Sequence, residues 1–337
     1  MLRQMRSLLV ALLVAAPFAV GAASAAPDDD AAAGHEVTTF SDTEIVESSG
    51  LVIEGDLAVT MNDSGDEARV FTVDLRTGDT VGTTEFEGDA EDLESLAPAG
   101  AGHVWVGDTG DNNKDRADIE VTRVPVGRGD RSVEGETFHL AYPDGAHDAE
   151  TLVAHPVTGR LFVVTKSPMR GAVYAAPAKL RADGVNVLTP VAEAPGLVTD
   201  GAFLPDGRHV LVRDYVKATV LEFPGWRPVA EFVLPRQQQG EALAVRADGT
   251  VFVSSEGADQ PVLSLDLPAS ATAALRSTPD PGASQQPSPS APETPPAPAP
   301  APADRSGDDD SGGPWAIALF GALGVLLLGG IVRFLRG

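Results

Sequence analysis

The sequence predicts an all-β protein: a β-propeller of five blades, closed by a strand from the N-terminal end and followed by a single C-terminal transmembrane helix. Three observations predict it. First, an acidic motif recurs. Asp89-Ala90-Glu91-Asp92-Leu93 has a near copy in Asp148-Ala149-Glu150-Thr151-Leu152 and weaker ones in Val198-Thr199-Asp200-Gly201-Ala202 and Gln239-Gly240-Glu241-Ala242-Leu243, and Glu47-Ser48-Ser49-Gly50-Leu51 fits with serine in the acidic slot. Second, the key positions 49, 91, 150, 200 and 241 are spaced by 42, 59, 50 and 41 residues, and repeats of roughly 40–50 residues made of short strands are a propeller signature. Third, turn signals such as Glu54-Gly55-Asp56 and Thr77-Gly78-Asp79 cut the chain into short apolar runs, the pattern of hairpins rather than helices.

Residues 1–26 read as a secretory signal peptide, with Arg3 and Arg6, an apolar run from Leu8 to Val20 and then Ala23-Ser24-Ala25. Residues 27–35 are an acidic leader expected to be disordered. The propeller is expected over 36–276, opening with an orphan strand at 36–42. The first repeat offers strands at 50–53, 57–61, 69–74 and 81–86, and the next three repeats offer four strands each. A fifth offers three, at 242–245, 251–254 and 262–266. The orphan strand then supplies the missing fourth and pairs the two chain ends, which removes the open edges. A count of six blades stays open if the 59-residue second repeat hides a degenerate blade.

Residues 277–313 are dominated by Pro, Ala, Ser and Asp and read as an extended stalk, which at about 3.1 Å per residue reaches on the order of 100 Å. The uncharged run of 18 residues from Trp315 to Val332 places a spanning helix at 314–334. Arg333 and Arg336 suit the cytoplasmic side and Asp308-Asp309-Asp310 the other flank, leaving 335–337 as a cytoplasmic tail. The expected localisation is therefore a single-pass cell-membrane protein, tethered through that helix with its propeller outside.

The chain of 337 residues carries a net charge of −25 with little positive clustering, which argues against nucleic acid as a partner. It has no cysteine, hence no disulfides. A monomer is expected, facing an extracellular ligand or an envelope protein that the sequence does not name.

In a propeller the innermost strand of each blade starts on one face, and the loop between the second and third strands returns to it. Glu91, Glu150, Asp200 and Glu241 are thus expected to line one mouth of the channel. Loops carrying Asp63, Asp108, Lys166, Arg213, Tyr215 and Glu256 are expected beside them. Clustered carboxylates and backbone carbonyls suit Ca2+, which takes six to eight oxygens, and Lys166, Arg213 and Tyr215 would hold an anionic group of a ligand. Three readings remain open: carboxylates capping backbone N–H groups of a neighbouring blade, a bound cation, and catalysis. Asn62-Asp63-Ser64-Gly65-Asp66 and Asp108-Thr109-Gly110-Asp111-Asn112 look like Asp-rich calcium loops without full EF-hand spacing. His147 is a general-base candidate beside Asp148-Ala149-Glu150. No nucleophile elbow, zinc-protease motif, phosphate loop or dinucleotide fingerprint is present.

Together with Tyr142-Pro143-Asp144-Gly145 and Ser254-Ser255-Glu256-Gly257, these motifs resemble secreted, membrane-anchored bacterial β-propeller proteins without assigned function. More distantly, they resemble β-propeller phytases and esterase-like phytase propellers. The resemblance covers about residues 45–267. It implies calcium held by acidic residues at the mouth, at Glu91, Glu150, Asp200 and Glu241 here, with phosphate ester hydrolysis as the activity. The phytases' Asp-Ala-Ala-Asp-Asp-Pro-Ala signature is missing, and five repeats replace six. The leading expectation is a cell-surface binding module with an acidic, calcium-binding mouth; the alternative is a calcium-dependent phosphoester hydrolase.

Overall fold

The computed structural model describes residues 30–276, apart from 64 and 89. The first strand, β1 (Ala33–Thr39), stands apart in sequence and is placed by the far end of the chain. Blade 1 follows as β2 (Ser48–Glu54), β3 (Leu57–Asn62), β4 (Arg69–Asp74) and β5 (Thr80–Phe86). Blade 2 is β6 (Leu93–Pro98), β7 (His103–Asp108), β8 (Ile119–Pro125) and β10 (Glu136–Ala141), with β9 (Arg131–Val133) lying between the last two in sequence. Blade 3 is β11 (Ala149–Ala154), β12 (Leu161–Thr165), β13 (Arg170–Ala175) and β15 (Thr189–Pro195), with β14 (Asn186–Val187) before its last strand. Blade 4 is β16 (Asp200–Phe203), β17 (His209–Arg213), β18 (Lys217–Glu222) and β19 (Arg227–Val233). Blade 5 is β20 (Gln239–Val245), β21 (Val251–Glu256) and β22 (Pro261–Asp266) plus β1, and helix α1 (Ala269–Arg276) follows. Neighbours within a blade pair antiparallel, and the described residues form five sheets.

Inner strands read as continuous apolar runs because both of their faces are covered. β12, Leu-Phe-Val-Val-Thr, is buried throughout, as a strand sandwiched between packed layers must be. Outer strands such as β19, Arg-Pro-Val-Ala-Glu-Phe-Val, are largely exposed. Five clusters of buried apolar side chains each draw on two neighbouring blades, and one joins blade 5 to blade 1. The innermost strands β2, β6, β11, β16 and β20 lie against one another in turn, with β20 returning to β2. The ring is therefore closed by sheet-on-sheet packing rather than by a single shared core.

The closing strand is present: β1 pairs antiparallel with β22, from Ala33 opposite Asp266 to Thr39 opposite Pro261. It begins three residues earlier than the expected 36–42, because Ala32 N donates to Val233 O at 2.9 Å and Ala31 bridges Val233. The leader residues from 30 onward are thus tied to blade 4. In the β4–β5 turn of blade 1, Gly78 (φ +79°) is required because an added Cβ would stand 2.0 Å from Thr39 O.

The long second repeat hides no sixth blade. Its extra residues form β9, which adds to the outer edge of blade 1 parallel to β5, held by Gly129 N on Val81 O (2.8 Å) and Thr83 N on Asp130 Oδ1 (3.0 Å). β14 likewise extends blade 2 parallel to β10. Helix α1 was not expected from the sequence; its Ala271 is fully buried in the apolar cluster shared by blades 4 and 5, with Leu267 and Leu275 packed against it. Among the described residues, no helix is long and apolar enough to cross a membrane. The expected signal peptide (1–26), stalk (277–313), spanning helix (314–334) and tail (335–337) lie outside the described residues.

Candidate functional site

Four of the five innermost strands carry a shared irregularity at one end, β16 being regular. The β2–β3 register slips between Ser48 and Gly50, β6–β7 between Leu93 and Ser95, β11–β12 between Ala149 and Thr151, and β20–β21 between Gly240 and Leu243. The residues left over by these bulges are Ser49, Glu94 and Glu150, with Glu241 inside the fourth slip. A bulge re-aims the side chain it leaves unpaired, so the same device presents each of these residues.

This corrects the sequence alignment in blade 2. Glu94, not Glu91, is the counterpart of Glu150. The Glu91 side chain is 68% exposed and lies 3.7 Å from Arg116 Nε, whereas Glu94 is only 5% exposed. The motif to match was Glu94-Ser95-Leu96 with Glu150-Thr151-Leu152. The sequence reading instead followed the more conspicuous Asp-Ala-Glu, three residues too early.

Burial, then the charges of Glu150, Asp63 and Asp92, push the Glu94 carboxyl up to about 11. Ser49 Oγ donates to its main-chain oxygen at 3.2 Å. Burial lifts Glu150 to about 8, although the adjoining Lys166 ammonium pulls it back. Lys166 Nζ also donates to Tyr215 Oη at 2.9 Å and sits 5.3 Å from that ring's centroid. Burial opposes the Lys166 charge, but Glu150 and Tyr215 outweigh it and its pKa is raised. Burial also raises Glu241. Glu256 rises to about 7 through burial and the nearby Glu241, Asp63 and Glu47, and Gln239 Nε2 donates to it at 2.5 Å. Asp92 rises to about 6, by burial and then by Asp63, Asp148 and Asp108. One carboxylate oxygen from each of Asp63, Asp92 and Glu94 lies within 4.8 Å of the others. Blades 1, 2, 3 and 5 thus bring acids to one mouth, where like charges and burial hold several of them above their ordinary range.

Other expected site residues are committed to the fold. Asp200 is fully buried and accepts from Gly201 N and Leu243 N, both at 2.7 Å; it ties blade 4 to blade 5. Asp108 accepts from Glu91 N (2.9 Å), Asp92 N (3.1 Å) and Arg116 Nη1 (2.5 Å). Asp111 accepts from Asp115 N and Arg116 N at 3.0 Å each. The carboxylates of the Asp108–Asn112 loop are therefore already engaged by backbone N–H groups of the flanking segments and by Arg116. In the other Asp-rich loop, Asn62 Oδ1 accepts from Val46 N and Glu47 N, and Asp66 binds Arg69, leaving Asp63 as its member that faces Asp92 and Glu94.

Arg213 is 1% exposed and is no surface clamp. Its Nε donates to Asp214 O (3.1 Å) and its Nη1 to Gln237 Oε1 (3.0 Å) and Ala242 O (3.2 Å), and burial lowers its pKa to about 10. Lys166 and Tyr215 stand at the mouth, but Arg213 does not join them as a pair for an anion. His147 belongs to an aromatic cluster, with Nε2 2.9 Å from Tyr174 Oη and its ring 4.9 Å from Tyr142. The sequence reading missed Glu94 and Asp92.

No family model and no curated protein matches the chain. Among solved structures, the crystal structure of Myxococcus xanthus glutaminyl cyclase is similar over 70% of this chain and 96% of that one, at 12% identity and a TM-score of 0.44. The crystal structure of the mitotic checkpoint complex is similar over 65% of this chain and 63% of that one, at 13% identity and a TM-score of 0.36. Neither adds to what the sheet topology already gives.

Proposed function

We propose that this chain is a binding propeller whose acidic mouth takes a hard divalent cation, calcium in the first instance, and through it an oxygen-rich ligand. The observation that carries this reading is the convergence of Asp63, Asp92 and Glu94 within 4.8 Å, beside Glu150, Glu241 and Glu256. Glu94 and Glu150 are held above the ordinary carboxylate range, and a cation of charge +2 would displace their protons and supply the oxygen-preferring centre that carboxylates from separate loops suit. Placement of the module outside the cell, tethered to a membrane, belongs to the same proposal and is supported by the composition of residues 1–26 and 314–334.

Calorimetric titration of the protein with calcium tests it. Saturable binding that releases protons, raises the melting temperature and is lost in the double variant Asp92→Asn, Glu94→Gln supports the reading. No binding at millimolar calcium would sink it and leave the mouth as a set of protonated, structural acids.

A further inference from the structure

Asp118, Glu120 and His139 form a second convergence, on the outer half of blade 2, and its donor set differs from that of the mouth. Asp118 and Glu120 are two apart along one strand direction, so they share a face. Glu120 sits directly opposite His139 in the antiparallel β8–β10 pairing, which brings the imidazole over the same spot. One ligand atom from each residue lies within 4.8 Å of the others. His139 is fixed from behind, since Asn186 Nδ2 donates to its main-chain oxygen at 3.0 Å. Arg116, whose charge also acts on Glu120, is occupied by Asp108 and Gly110 O.

One imidazole nitrogen faces both carboxylates. His139 Nδ1 stands 3.2 Å from Asp118 Oδ1 and 3.4 Å from Glu120 Oε1. Other His–Asp pairs of this chain stand at 2.8 Å (His35–Asp266), 2.6 Å (His209–Asp206) and 3.2 Å (His147–Asp144). His139 Nδ1 is in hydrogen-bond reach of Asp118, and what sets it apart is that the same nitrogen also faces Glu120. A tetrahedral ion bound at about 2.0–2.1 Å holds neighbouring ligand atoms about 3.3–3.4 Å apart, close to the two distances from His139 Nδ1.

We infer that Asp118, Glu120 and His139 form a binding site for a divalent transition-metal ion of the zinc class, with three protein ligands and an open position for water. The imidazole selects such an ion over calcium, whereas the all-oxygen mouth selects the reverse. The two sites are independent.

Zinc chloride, and cobalt chloride as a visible-spectrum probe, titrated into the whole protein test this. The expected result is saturable zinc binding, with cobalt giving the intense bands of a four-coordinate ion. His139→Asn and Glu120→Gln should each weaken zinc by more than about 100-fold, since even residues that only support a metal ligand are worth 10–100-fold. Asp92→Asn with Glu94→Gln should leave zinc unchanged. All three ligands are half-exposed, so the fold should survive, and a melting curve checks that; Glu120→Gln alone, isosteric and at the surface, serves if His139→Asn does not fold. Absence of saturable zinc binding, unchanged affinity in these variants, or loss through the mouth variant instead would each overturn the assignment.

Discussion

Replacing Glu94 by glutamine should make the metal-free protein more stable. The Glu94 carboxyl is 5% exposed, so solvent does little to screen it, and its pKa moves from 4.5 to about 11 on folding. Between those values the folded state keeps a proton that the unfolded chain has released. Each pH unit above 4.5 then removes about 1.4 kcal/mol of stability. The contribution of the protonated acid is whole below 4.5 and declines until pH passes 11. At pH 7 the accumulated loss is about 3 kcal/mol. Glutamine has the shape of the protonated acid and no proton to release, so Glu94→Gln should recover that amount and raise Tm by roughly 6–12 °C for a domain of this size. Thermal melting of both proteins in chelator, at pH 5 and pH 8, reads it: the curves should nearly coincide at pH 5 and separate at pH 8. Saturating calcium should narrow the gap, because a cation at a hundredfold excess over Kd adds about 2.7 kcal/mol only to the protein that binds it. A variant that melts at or below the parent at pH 8, or that keeps the parent's pH slope, would refute the account of Glu94 as a buried acid strained by Glu150, Asp63 and Asp92.

Two further outcomes are expected. Asp200→Ala leaves Gly201 N and Leu243 N without their acceptor and should cost about 1–3 kcal/mol in denaturant unfolding without altering calcium affinity; a loss of calcium binding in a folded variant would make Asp200 a ligand after all. Deleting residues 30–40 removes the partner of β22 and exposes its edge, so the protein should melt lower and associate in light scattering; a monomer with unchanged Tm would show that β1 is dispensable.

The propeller was legible because its evidence is periodic. Buried strands such as Leu161–Thr165 announce themselves by unbroken β-branched and apolar runs, turns by Gly and Asp, and the blade count by motif spacing. Closure by an N-terminal strand was legible too, since a fifth repeat with three strands leaves one edge to fill. The strands β9 and β14 and helix α1 were not, because each is stabilised by the blade or cluster it docks against and has little periodic signal of its own.

The site divided along the same line. The repeat register and propeller geometry placed acids at the mouth, and Glu150, Glu241, Asp63 and Glu256 are there. Which acids are strained and which are spent was decided by the tertiary structure, since Asp200, Asp108 and Arg213 read as ligands in sequence but face backbone groups of their own or the next blade. Glu94 was passed over for Glu91 because a bulge, visible only in the strand pairing, decides which residue of a short acidic run turns inward. Sequence determined the repeats and the acidity of one face. Packing decided which carboxylates lost their water, and loss of water is what makes a carboxylate seek a proton or a cation.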